Sequence, residues 1–486
     1  IYENDSYFDL ITNFKKIDNK FSKELQKNNF YYDDKIINDY TILLNQALLN
    51  QDIFDIKISN NYNFKNNNLT FSQKKNNIST VNKINIYGNK ITKDKVIRSK
   101  LDIEPGDALI DELLEKNLKS LRKYKYINDV SFNNDINNGS SDLDIIIDEN
   151  LKTGSLFFAA TGSSDLGLGL SFGINDANIL GTGNQLNTNF SLNSEKFIFD
   201  VSAIHYLYSN SKIRNNYSIS NTQTDYSDSF GFKANEQKIS IGLTFDYSEN
   251  ISMSSGISYK SIDGNSPKFS NDTAINDNIG LNNDINLNYS IYYDSTNNYL
   301  YPSDGFYNSL SLELSPKDIS DNSYLKTTAT NKNYFEISEG GSFLFNINRF
   351  GSIDSLNSEK IRTFNAFSLG GSSFNGFGYR GIGPKNSNNI YLGGNKYFTS
   401  TFGIGTNFFN QQNDNFYIKL FISTGSIWDS DYSNEKYNLR SSIGSSLDFL
   451  TPIGPISISY AIPIDKSSND QTRRFDFRIG GFFWKM

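Results

Sequence analysis

Two different spacings of apolar residues divide the chain near residue 150. Upstream, apolar positions recur at helical intervals, at Leu43, Leu44 and Leu48 and again at Leu113, Leu114, Leu118 and Leu121. That is the mark of helices with one buried face. Short β-type stretches accompany them: FDIKIS (Phe54–Ser59), LTFSQKKN (Leu69–Asn76), VNKINIYGN (Val81–Asn89), INDVSF (Ile127–Phe132) and LDIIID (Leu143–Asp148). EPGD (Glu104–Asp107) is turn chemistry, and Thr92 stands where it can cap a helix running through Val96 and Ile97 to Leu101. The later group reads β-α-α-β-β, and the earlier one repeats it in part. The pattern predicts a partial upstream segment over 1–20, one α+β module over 21–78 and a second over 79–150.

After Lys152 the period becomes two. Segments such as SLFFAATG, KISIGLTFDY, DINLNYSIYY, FYIKLFISTG and RRFDFRIGGFF set aromatic and β-branched residues on alternate positions, and Asn-, Asp-, Ser- and Gly-rich loops separate them. Strands of this length suit a tilted membrane wall. Bacterial single-chain barrels have even strand numbers, so the count predicts about sixteen strands over 151–486. A propeller or sandwich would instead turn its aromatics into a core.

Composition fits a wall with one apolar face and one wet face. Apolar residues make up 37%, yet there are 38 Phe and 30 Tyr, more aromatics than disorder tolerates. No apolar run is long enough for a membrane-spanning helix; a closed barrel is then the way to satisfy every backbone group in lipid. The net charge of −7 gives no basic face for nucleic acid. With no Cys and a single histidine, His205, thiolate chemistry, disulfides, a His-ligated metal and a Ser/His/Asp arrangement are all disfavoured. No GxxxxGK[ST] phosphate loop occurs. The expectation is a non-enzyme without cofactor or metal. The opening IYENDSYFDL has neither Met nor an apolar core, and we expect a piece of a longer protein.

Two stretches carry a family resemblance. Arg440–Phe483 contains Thr451-Pro452-Ile453-Gly454-Pro455, then SYAIPI (Ser459–Ile464), then RFDFRIGGFF. It is similar to the last three barrel strands of BamA-type assembly factors, with their S-P-x-G-P turn, S-Y-A-x-P element and closing β-signal. LGGSSFNGFGYRGIGPK (Leu369–Lys385) with LGGN (Leu392–Asn395) resembles the same family's lid loop. Phe374-Asn375-Gly376-Phe377 falls on its [V/L]-R-G-[F/Y] tetrapeptide and Gly381, Gly383 and Pro384 on its G-I-G-P. The family arginine is here Asn375, and Arg380 is the candidate substitute; Tyr379-Arg380-Gly381-Ile382 is an alternative register that the G-I-G-P spacing disfavours. The upstream modules resemble POTRA domains. Asp294…Gly305 and Asn175–Leu186 resemble family turn segments.

The resemblance implies a protein that assembles and inserts outer-membrane β-barrels, with POTRA modules in the periplasm. It implies unfolded outer-membrane proteins as substrates, accessory lipoproteins as partners and outer-membrane lipid as surroundings. It places the working site at the seam between the first strand (Leu156, Phe157, Phe158) and the closing strand (Phe475, Phe477, Gly480, Gly481, Phe483). The glycines there weaken pairing. A TamA-like insertase and a two-partner secretion translocator are the alternatives; an outer-membrane enzyme or simple porin fits less well.

Overall fold

This computed structural model describes residues 17, 21–23, 34–49, 53, 56–63, 68–75, 79–101, 103–110, 114–115, 117–118, 121–122, 124–137 and 140–150 of a first unit, Ile1–Asn150. Of the second unit, Leu151–Met486, it describes residues 151–480 apart from 208–209, 229, 249, 270, 299–300, 339–340, 408–415 and 452–453. Gly481 and Phe483 of the predicted seam, and Leu113 of the predicted helix, lie outside these residues.

In the first module the helix α1 (Asp34–Leu49) buries Ile37, Leu44, Ala47 and Leu48. Beside it runs the hairpin of β1 (Ile56–Asn63) and β2 (Asn68–Lys75). Asn45 ties the two together, donating to the Ile58 carbonyl (2.9 Å) and accepting from the Ile58 N–H (2.8 Å). The second module is a four-stranded sheet in the order β4-β3-β6-β5, from β3 (Ser79–Tyr87), β4 (Ala108–Leu109), β5 (Ile127–Asn137) and β6 (Ser140–Glu149). β3 and β6 are parallel, and the long connection between them is what a parallel pair requires. Leu114, Leu118 and Leu121 are fully buried, as are Leu143 and Ile145 of β6.

The short helix α2 (Asp94–Arg98) starts without a side-chain cap at Lys93, which corrects the expectation for Thr92. The Thr92 hydroxyl donates to Glu149 at the end of β6 instead. Glu149 also accepts the backbone N–H groups of Lys90 (2.5 Å), Ile91 (2.7 Å) and Thr92 (2.6 Å). Burial pushes this carboxyl up, but the hydrogen bonds from Thr92, Ile91 and Lys90 outweigh it and hold it below the usual carboxylate range. Gly88 makes the turn possible: its φ is +87° and a Cβ there would lie 2.0 Å from the Ile147 carbonyl oxygen.

The second unit is a closed antiparallel barrel of sixteen strands. They are β7 (Gly154–Ser163), β8 (Gly167–Asp176), β9 (Gln185–Asn193), β10 (Lys196–Leu207), β11 (Asn210–Asp225), β12 (Lys233–Asp246), β13 (Ile251–Asn265), β14 (Gly280–Asp294), β15 (Gly305–Ser315), β16 (Tyr324–Glu336), β17 (Ser342–Ser355), β19 (Lys396–Asn407), β20 (Phe416–Trp428), β21 (Arg440–Thr451), β22 (Gly454–Asp465) and β24 (Phe475–Ile479). Two short strands, β18 (Gly376–Phe377) and β23 (Thr472–Arg473), pair only with each other. Sixteen is the number the sequence predicts.

Alternation explains the wall. On β12, Ile239, Ile241, Leu243 and Phe245 are exposed outward, while Lys238, Ser240, Gly242 and Thr244 take the other face. Leu168, Leu170, Phe172 and Ile174 of β8 repeat the pattern. Large exposed apolar groups at every second position suit hydrocarbon, not water. Among the described residues no helix is long and apolar enough to cross a membrane. His205 sits in the β10 wall, hydrogen-bonded to Asn215 of β11 (3.3 Å).

Candidate functional site: the barrel seam and the lid loop

β13 and β14 are registered from Ile251↔Tyr293 to Gly264↔Gly280 without a shift. Across the seam, the described residues of β24 and β7 meet only as Arg478↔Ser163 and Ile479↔Gly162. β24 is five residues long. Just before it the chain leaves the wall: Thr472 and Arg473 pair with Phe377 and Gly376 of the lid loop. A strand that spends part of its length on a loop has less to give its neighbours.

Leu156 and Phe158 project outward from β7, 70% and 81% exposed, and Phe157 is buried on the other face against Gly173. Phe158 begins a ladder of directly opposed rings, Phe158–Phe172–Phe190–Phe199, with centroids 6.3, 4.7 and 4.6 Å apart. Its members face each other across β7, β8, β9 and β10. On β24, Phe475 is exposed and Phe477 half-buried. The Gly480 N–H donates to the Pro455 carbonyl (2.9 Å).

The lid loop lies within the wall of the barrel. Phe374 and Phe377 stack at 5.0 Å and bury themselves with Leu369, Ile382 and Ile427 of β20. The G-I-G-P residues are held by the Tyr391 hydroxyl, which donates to the Gly381 carbonyl (2.6 Å), and by Leu392, whose N–H reaches the Pro384 carbonyl (2.9 Å). Gly383 has φ +106°. Asn375, at the family arginine's place, uses its backbone carbonyl to accept from the Ser442 hydroxyl (2.7 Å).

Arg380 is buried and holds φ +52°, a left-handed conformation that packing must maintain in a residue with a side chain. Its guanidinium lies over three rings, Tyr379 (4.6 Å), Tyr226 (4.7 Å) and Phe230 (5.1 Å). Desolvated stacking of this sort is among the stronger cation–π contacts.

The wall also grips the lid's root, through residues the sequence did not single out. Lys260 of β13 donates to the Asn365 side chain (2.8 Å) and the Tyr324 hydroxyl (3.0 Å), 3.7 Å from Asp284. Lys326 of β16 donates to the Asn365 carbonyl (2.8 Å). Tyr324 in turn donates to Glu313 (2.6 Å). Cations thus reach from the wall to a neutral loop. Alternation marks these lysines as inward-facing, but nothing local tells which loop they meet.

A sixteen-strand wall with a lipid-type exterior and a buried glycine-rich loop defines a membrane β-barrel of the outer-membrane kind. The chain belongs to the Omp85 superfamily, whose domain profile matches residues 178–483. A POTRA profile, described as a surface antigen variable number repeat, matches residues 79–150. BamA of Neorickettsia risticii is 21% identical over 414 residues, covering 80% of this chain and 53% of that protein. BamA of Neisseria meningitidis serogroup B is 30% identical over 93 residues, 14% of this chain and 11% of that protein. The chain spans about half or less of the length of these relatives. Among solved structures, BamA from Haemophilus ducreyi lacking POTRA domains 1–3 superposes with a TM-score of 0.77 at 21% identity, over 93% of this chain and 94% of that one. CdiB from Acinetobacter baumannii gives 0.55 at 15% identity, over 96% and 86%. These likenesses establish the fold, and the family places the chain among outer-membrane barrels.

Proposed function

We propose that this chain assembles and inserts β-barrel proteins into the outer membrane, without bond chemistry, by offering the β7 edge of its seam as a template. The observation that carries this reading is the seam itself, where the residues just before the closing strand, Thr472 and Arg473, pair with the lid loop while β24 closes the wall onto β7. An incoming strand brings bare N–H and C=O groups into lipid, and each costs several kcal/mol unpaired. An edge that can be exposed gives them partners as they enter, which is strand addition to a sheet edge. The POTRA modules, set on the periplasmic side, would deliver unfolded outer-membrane proteins, with accessory lipoproteins as further partners. The relatives named as BamA support this reading. A TamA-like insertase would use the same chemistry, and the fold shared with CdiB supports a second reading as a translocator that exports a protein through its pore.

The test is a lock. The chain has no cysteine, so Ser163→Cys with Arg478→Cys, directly opposed across the seam, gives a single disulfide. Oxidised protein that still folds should lose assembly of client barrels and recover it on reduction. Undiminished assembly with the seam bridged would overturn the template reading and favour the translocator.

A further inference from the structure

The seam is also tied outside its ladder. The turn between β7 and β8 carries Ser164 and Asp165, and Arg473 reaches both from the closing-strand side. One guanidinium nitrogen donates to the Ser164 carbonyl (2.9 Å) and another to the Asp165 carboxylate. The side chains of this pair are 25% and 6% exposed. Ser164 adds two bonds to Phe477, its N–H donating to the Phe477 carbonyl (3.0 Å) and its hydroxyl accepting the Phe477 N–H (2.9 Å).

The lid loop closes over the same carboxylate. The Ser372 N–H donates to Asp165 (2.9 Å). Gly371, at φ +60°, lets the loop come this near: a Cβ there would sit 2.3 Å from an Asp165 oxygen. The lid also holds Arg473 through the Gly376↔Arg473 pairing. Asp165 is therefore the point where first hairpin, closing strand and lid meet.

Arg473 has a second carboxylate in reach three residues on, Asp476 of β24, at 3.2 Å. Among the described residues, the buried Arg473 Nε and Asp476 Oδ1 have no hydrogen-bond partner. Each is an atom the other could satisfy, and a buried polar atom left alone is costly. A guanidinium that lets go of Asp165 can turn both its free edges to Asp476, a fork-to-fork arrangement.

We propose that Asp165 and Arg473 form a latch on the seam which the lid loop holds shut, with Asp476 as the carboxylate that receives Arg473 when the latch opens. This rests on the seam being the working site. With the lid in place, the Asp165–Arg473 pair is shielded and braced from both sides. When the lid withdraws, Asp165 loses the Ser372 N–H and gains water, and an exposed ion pair holds little. Arg473 then passes to Asp476, and what remains of the seam is its backbone ladder. Asp165 and Arg473 are positioning residues; they touch no client.

Hydrogen exchange on the whole chain in lipid vesicles, read peptide by peptide, tests this. Asp165→Asn should speed exchange over residues 156–166 and 475–480 about tenfold, the factor carried by one charge-assisted hydrogen bond, and leave 239–265 at the wild-type rate. Arg473→Lys keeps the charge but loses the fork, and should fall between. Asp476→Asn should slow seam exchange, because the receiving site is weakened. A merely structural role would make all three variants faster and would spread to the far wall. Wild-type seam exchange in Asp165→Asn overturns the latch; if that variant does not fold, faster exchange in Asp476→Asn does so. Faster seam exchange with client assembly unchanged would keep the latch and sink the template reading. An inert Asp165→Asn beside a disulfide lock that blocks assembly would do the reverse.

Discussion

The seam and the wall opposite it are made of the same kinds of residue and behave differently. β12, β13 and β14 pair along their whole lengths, from Lys233↔Asn265 to Asp246↔Ser252 and from Ile251↔Tyr293 to Gly264↔Gly280. β7 pairs along its length with β8, but its described contact with β24 is two residues long. Side chains and a loop add further ties across the seam, through Arg473, Asp165 and Ser164. Backbone ladders in a membrane come undone only at great cost. Side-chain ties can be exchanged for other side-chain ties. On the proposed function, the contrast is between a side that stays closed and a side that opens.

The largest effect should come from making the two sides alike. The Ser163–Arg478 bridge should reduce client assembly at least about tenfold, whereas Ser240→Cys with Ser258→Cys, opposed across β12 and β13, should leave it within about twofold, since a crosslink in an already continuous ladder adds little constraint. Equal losses from both bridges would mean that general stiffness, not the seam, matters.

Next in size is a change that should not touch the comparison at all. Glu149→Gln should destabilise the second module by about 2 kcal/mol at pH 7, because hydrogen bonds to a charged group are lost from a buried site. Seam exchange should stay as it was. The wild-type carboxyl is held below its ordinary value of 4.5. Its contribution is therefore fully present above that value and is lost as pH falls below 4.5 toward the folded value. Exchange across residues 79–150 against pH should show this loss in the wild type and not in the variant.

Arg380→Ala should lower barrel stability by about 1–2 kcal/mol, the scale of a desolvated cation–π contact, and more than Arg362→Ala does. Heat-dependent gel migration measures both. Equal effects would remove Arg380 from the lid's anchoring. The smallest change expected is Phe172→Ala, inside the aromatic ladder, at about 0.5–1 kcal/mol, with its loss of protection confined to β7–β10.

Much of this was legible from sequence because it is periodic. Alternation at residues such as Ile239, Ile241 and Leu243 reports a two-faced wall, and helical spacing reports Leu114, Leu118 and Leu121. The order of turn residue types along the sequence, around Gly454 and Gly383, carried the family resemblance. The ties that decide where the barrel opens are not periodic. Arg473 and Asp165 are 308 residues apart, and an aspartate in an SSDLG turn looks like any solvated turn residue. Arg380 drew notice for its charge, yet the rings beneath it, Tyr226 and Phe230, come from a distant rim loop. Thr92 misled for a related reason: a threonine before a helix suits a cap, but the helix begins a residue later, with Lys93 at the cap position, and Thr92 is held by Glu149, 57 residues on.

The aromatic ladder has a mechanical consequence. Four strands clasped by stacked rings from Phe158 to Phe199 form a stiff panel. The stacking stops there, because Phe199 faces Asn221 on β11. The β10–β11 pairing also slips register at Tyr206/Leu207. On the proposed function, β7–β10 should move outward as one leaf when the seam parts, so that the free edge is carried into the bilayer straight and unbuckled.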